Sequence, residues 1–178
     1  MIRINTPLSD DVIKELKAGD EVLLSGTIYT ARDQAHKRLT ELLSQKKKLP
    51  FDLRGAVIYY TGPTPTRPGQ VIGSCGPTSS YRMDKYTSTL LKLGLKATIG
   101  KGRRSKDVVA AMKKHKAVYF AATGGAGALI SKCVKSSKLI AFPDLGCEAI
   151  YRLTVKDFPL IVINDIRGND LYKDVAKS

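Results

Sequence analysis

The stretch Gly73 to Asp84 reads GSCGPTSSYRMD, a turn rich in glycine and proline whose hydroxyls, Thr78, Ser79 and Ser80, run up to Arg82. Glycine lets a backbone approach a ligand closely, and proline stiffens the turn. The hydroxyls suit a helix N-cap, where unpaired N–H groups and the positive dipole end attract anions. An arginine in the first turn adds charge to an end that is already positive. Its chemistry is then that of a grip on a small carboxylate or phosphate, or it is an exposed arginine on a Ser-capped helix. A second stretch repeats the pattern, with Thr30 and Asp33 at capping-box spacing around Arg32. Two such arginines make the anion site a better reading than either alone. Lys101 lies between Gly100 and Gly102, which would let its ammonium reach such a site, although a solvated basic loop fits the same residues.

Other motifs carry less. The run TGGAGALISK from Thr123 lacks the spacing and the Lys-Ser/Thr ending of a phosphate loop. It has Gly125 and Gly127 of a dinucleotide fingerprint but Ile130 where the third glycine belongs, with Asp144 at ribose-binding distance. Close packing of a helix on a sheet accounts for these glycines better. Cys75, Cys133 and Cys147 include no CxxC pair, which argues against a disulfide framework and against a self-contained zinc or iron–sulfur site.

Those residues must be positioned by one domain spanning residues 1–178, long enough to bury a core without staples. Hydrophobic residues make up 43% and charged ones 26%, the balance of a soluble globular chain. No apolar run has membrane-spanning length and the first residues lack a signal-peptide pattern, so no membrane association and a cytoplasmic location are expected. The formal charge of +14 raises nucleic acid as a partner. Against it, the basic residues are spread out apart from a cluster at Lys101 to Lys106, and no Trp or RNP-like aromatic strand is present. A site for an acidic small molecule, or a surface facing an acidic partner subunit, fits better. A non-catalytic polyanion-binding module is the competing reading.

Periodicity supplies the scaffold. Ile2 to Ile4, Glu21 to Tyr29, Ala56 to Tyr60, Ala97 to Ile99 and Ala117 to Ala122 read as strands, followed by Leu139 to Phe142, Tyr151 to Val155 and Leu160 to Asn164. Helices follow Ser9, Thr30, Arg82 and Ser105, the third burying Met83, Tyr86, Leu90 and Leu93. TGPTPTRPGQ, from Thr61, is an irregular loop, and a polar tail begins at Asp165. Strands alternating with helices give an α/β architecture with a mixed sheet.

Taken as a set, TARDQAHKR (Thr30 to Arg38), YYTGPTP (Tyr59 to Pro65), GPTSSYRMDKYT (Gly76 to Thr87), IGKG (Ile99 to Gly102), TGGAGAL (Thr123 to Leu129) and the run from Phe142 to Tyr172 resemble one family in order along nearly the whole chain. The chain resembles the β subunit of two-subunit class I fumarate hydratases and L(+)-tartrate dehydratases, which is the C-terminal domain of single-chain members. The resemblance implies a swivelling β/β/α domain with a mixed sheet flanked by helices. It implies hydro-lyase activity, fumarate to (S)-malate or tartrate to oxaloacetate, shown only with an α subunit, in an assembly such as α₂β₂. It also implies a [4Fe–4S] cluster ligated by that α subunit, with no metal ligand on this chain. Residue by residue, it assigns Arg32, Arg82 and Lys101 to the substrate carboxylates and Thr78 to the base, with Ser79 beside it. His36, one turn after Arg32, also matches the family.

Overall fold

Short parallel strands, each followed by a chain segment that returns over the outside, generate most of the structure. The computed structural model describes residues 1–122 and 127–178. β1 (Ile2–Asn5), β2 (Glu21–Thr30), β3 (Val57–Tyr59), β4 (Ala97–Gly100) and β5 (Val118–Ala121) are parallel in that spatial order. β6 (Val134–Ala141) and β7 (Ile150–Asn164) form an antiparallel pair. β7 also runs antiparallel to β5 on one side and to β2 on the other. Five of the seven strands, β2, β3, β4, β5 and β7, therefore close into a barrel, and β1 and β6 extend it.

Two apolar layers follow from strand alternation. Val22, Leu24 and Ile28 of β2 bury with Val57, Tyr59, Ile99, Val118 and Phe120 and with Leu153, Phe158 and Val162 of β7. The opposite strand faces, including Ile58, Tyr119 and Ile163, receive the helices α2 (Asp33–Ser44), α3 (Asp84–Lys92) and α4 (Lys106–His115) through Ala35, Leu39, Leu90, Leu91, Val108 and Met112. Three shorter helices are α1 (Asp10–Glu15), α5 (Gly127–Ser131) and α6 (Leu171–Ala176). None of the described helices is long and apolar enough to cross a membrane.

Several sequence expectations change. The two strands expected after Tyr151 are one, because β7 continues through Asp157 and Pro159. Its β6 pairing ends at Val155 and its β5 pairing begins at Ile161, so Pro159 is flanked by β2 alone and its missing N–H interrupts no second ladder. Thr87 and Leu91, not Leu93, complete the buried face of α3, since Leu93 is the C-cap and faces outward. The polar tail hides an organising residue: buried Asp165 accepts from the backbone of Ala18, Arg167 and Asn169 and from the Asn169 amide. Those bonds hold its carboxyl below the ordinary range against the opposing effect of burial.

Candidate functional site

Parallel strands deliver their C-terminal ends to one rim. Register places Thr30 beside Tyr59, Tyr59 beside Ile99, and Ile99 beside Phe120. In parallel α/β sheets this is the end where ligands are held, because the chain leaves it in loops and opens helices there. Arg32 and Lys101 lie one or two residues beyond β2 and β4, so the rim carries both by construction.

The segment from Thr78 to Ser80 is inserted between these strand extensions. Thr78 N donates to Tyr60 O (2.7 Å), Lys101 N to Thr78 O (3.3 Å), and Ser80 N to Lys101 O (2.9 Å). Ser79 and Lys101 thus form a parallel bridge. Gly100 makes this possible. A Cβ there would lie 1.9 Å from Ser80 Oγ and 3.1 Å from Thr78 O, so only glycine admits the strand. The structure therefore brings Thr78, Ser79 and Lys101 together, with Thr78 clamped on both backbone sides and its side chain half-buried. Among the described residues the Thr78 hydroxyl has no hydrogen-bond partner, and Lys101 is exposed.

Neither arginine follows a hydroxyl cap. The Thr30 hydroxyl is consumed at the start of β7, donating to Ala149 O (3.4 Å) and accepting from Tyr151 N (3.0 Å). Arg32 itself occupies the N-cap of α2, without a capping side chain. Ser80 turns inward to Tyr119 Oη (2.8 Å), Ser79 makes no capping bond, and Arg82 lies in a 3₁₀ turn, Ser80–Met83, ahead of α3. The anion reading thus loses its helix-dipole basis and rests instead on how the arginines are held.

They are held by acids. Arg82 pairs with Asp33, the first residue of α2: Nε donates to Oδ1 at 3.1 Å, while Nη2 stands 3.0 Å from Oδ2 in ion-pair contact without hydrogen-bond geometry. Arg32 Nε stands 4.0 Å from Glu148, an ion-pair distance without a hydrogen bond, and that carboxylate accepts from Gln34 N (3.4 Å). Its guanidinium crosses Gly62, where a Cβ would come within 3.0 Å of Nη1. Behind it His36 is fully buried between Tyr60 and Tyr86, and burial pushes its pKa down to about 4. A carbonyl can only accept, so the 2.8 Å contact between His36 Nδ1 and Arg32 O places the proton of the neutral ring on Nδ1. His36 is a packed support of the arginine turn.

Sequence reasoning missed two features. Asp33, at capping-box spacing in the sequence, is a partner of Arg82. Arg104 was counted in the surface cluster from Lys101, yet its side chain is 0% exposed. It donates to Asp84 Oδ1 (2.8 Å), Tyr60 Oη (3.1 Å), Thr98 Oγ1 (3.0 Å) and Thr87 Oγ1 (2.8 Å), locking α3 to β3 and β4 beneath the rim. The only signal was the scatter of Thr87, Thr98 and Asp84 on faces that otherwise bury apolar groups. Arg104→Ala would leave these groups without their donor and Asp84, 13% exposed, without its cation. We expect it to cost about 3–5 kcal/mol of unfolding free energy, read by chemical denaturation. A loss under about 1 kcal/mol would show that the network adds little.

Asp144, set at ribose-binding distance in the sequence, is bound bidentately by Arg38 of α2. Gly125, with the rest of 123–126, lies outside the described residues. Cys75 is buried, with its thiol pushed up to about 11 by burial, while Cys133 is partly exposed and Cys147 exposed. Among the described residues no three His, Cys, Asp or Glu side chains converge as metal ligands.

Comparison with known proteins was made against this geometry. The family model described as "Fumarase C-terminus" matches residues 1–175. A protein of Methanocaldococcus jannaschii named putative L(+)-tartrate dehydratase subunit beta is 42% identical over 171 residues, covering 93% of this chain and 88% of its own. Fumarate hydratase 2 of Leishmania major is 39% identical over 162 residues, covering 90% of this chain but 28% of its own. The anaerobic class I fumarate hydratase of Escherichia coli K12 is 35% identical over 179 residues, covering 98% of this chain and 33% of its own. The chain thus spans a third or less of these two fumarate hydratases.

Proposed function

The chain belongs to the Fumarase C-terminus family, and from that premise we propose that it is the β subunit of a hydro-lyase that interconverts fumarate and (S)-malate. In this reading the whole chain is one swivelling domain, and it acts only with an α subunit, in an assembly such as α₂β₂. The observation that carries the proposal is the Thr78–Lys101 clamp at a rim that also carries Arg32, with Arg82 hydrogen-bonded to Asp33 on the helix that Arg32 opens. Such a surface suits a small dianion.

Removing water from malate takes a proton from the carbon next to one carboxylate and hydroxide from the neighbouring carbon. Negative charge grows on that carboxylate as the proton leaves, so fixed cations there favour the transition state over the ground state. Arg82 offers the planar fork that matches a carboxylate, with Arg32 and Lys101 completing the cationic surround. Thr78 stands as the proton acceptor and Ser79 as a neighbouring hydrogen-bonding hydroxyl. The [4Fe–4S] cluster is assigned to the α subunit. The described side chains here do not fit as its ligands, and no step on this chain is routed through it.

A second reading has its own support, because the Methanocaldococcus jannaschii relative that this chain covers almost throughout is named for tartrate. Malate and tartrate differ by one hydroxyl, and the same cationic surround serves both. Co-expression with a candidate α subunit, anaerobic reconstitution and assays with malate, fumarate and L(+)-tartrate test both readings. The chain alone is expected to be colourless and inactive and the assembly active. Turnover by the isolated chain, or an assembly inert toward all three acids, overturns the proposal.

A further inference from the structure

Asp33 is the first residue of α2 and the immediate neighbour of Arg32, yet its carboxylate faces the other arginine. The pair meets along the Nε edge, hydrogen-bonded through Nε alone with Nη2 in ion-pair contact, the Asp33 side chain 25% exposed and that of Arg82 43%. A guanidinium has five N–H donors in one plane. Side-on pairing engages the Nε edge and leaves the two protons of Nη1 and the outer proton of Nη2 for a second, end-on acceptor. The 3₁₀ turn that carries Arg82 has no side-chain cap at Ser79. Three cations around one dianion also repel one another, and a carboxylate paired with one of them offsets part of that repulsion.

Resting on the hydro-lyase reading above, we infer that Asp33 is a positioning residue that fixes the plane of the Arg82 guanidinium, so that its free edge meets a substrate carboxylate without reorganisation. Orientation fixed in advance lowers the ordering cost of binding and keeps the donors aimed as charge develops. Asp33 touches neither substrate nor the reacting carbon; it acts through Arg82.

A double-mutant cycle in the reconstituted assembly tests this, with Asp33→Asn, Arg82→Lys and the two combined. The readouts are kcat/KM for malate and tartrate and the calorimetric Kd of succinate, a dicarboxylate without a hydroxyl to lose. Asp33→Asn keeps one acceptor and loses the charge, and it is expected to lower kcat/KM and weaken succinate about tenfold. Asp33→Glu should restore most of that loss. In the Arg82→Lys background the Asn change should add less than about threefold, because the group it steadies is already gone. If the two effects multiply instead, or if Asp33→Asn matches wild type, Asp33 is a structural helix-start residue and the inference falls while the functional reading stands. If wild-type assembly neither turns over these acids nor binds succinate, the functional reading fails and takes this inference with it.

Discussion

Arg82→Lys in the reconstituted enzyme should lower kcat/KM by about 10²–10³-fold while leaving the fold intact. The substitution keeps a positive charge, so what it removes is geometry. Lysine offers a single ammonium on a flexible stem, which cannot lie side-on to Asp33 and present a second edge to a substrate at once. The loss should fall mainly on kcat if the fork meets charge that grows only in the transition state, and on KM if it merely holds the ground-state carboxylate. Steady-state kinetics beside a thermal melt decide the matter. Near-wild-type kinetics in a well-folded variant would remove Arg82 from the site.

Thr78→Ala should lower turnover by about 10²–10⁴-fold, the range for losing one acid–base group. A hydroxyl is a weak base at neutral pH, so the assignment needs surroundings that favour its anion. Lys101, bridged to the adjacent Ser79, brings positive charge into that neighbourhood, and the clamp between Tyr60 and Lys101 fixes where the threonine backbone sits. Thr78→Ser keeps the hydroxyl and should recover much of the rate. The decisive readout is exchange of the carbon-bound hydrogen of labelled malate or tartrate with solvent. Exchange should fall with turnover in the alanine variant. Near-normal exchange with weakened substrate binding would reduce Thr78 to a hydrogen-bonding contact and move the base to the α subunit.

The strands and helices were legible because their apolar spacing is regular: β2, α2 and α4 fall within a residue or two of where the periodicity put them. The residues of the rim were legible as types. Their arrangement was not. Hydroxyls beside Arg32 and Arg82 look like caps to any local rule, yet Thr30 serves β7 and Ser80 serves Tyr119, partners more than thirty residues away. Asp33 and Arg104 make the same point from the charged side. A salt bridge between separate chain segments leaves no periodic trace, so a buried arginine in a basic run looks solvated until its acceptors are in place. Closure of the barrel was hidden as well, since β7 pairs along two edges while its sequence reads as two shorter strands.

That closure has a consequence for how the molecule comes to exist. Glu21 pairs with Ile161 and Tyr29 with Arg152, so β2 waits for the last of the described strands. Contacts this far apart along the chain must offset loop-closure entropy before they return any stabilisation, and they slow folding. Until β7 docks, the barrel lining of Val22, Leu24 and Ile28 has an open edge, a state prone to pair with the wrong chain. Thr30 likewise has neither Ala149 nor Tyr151 to hold it, and the arginine turn that follows is unanchored. During synthesis the rim is therefore among the last features to mature, although most of its residues leave the ribosome in the first two-thirds of the chain.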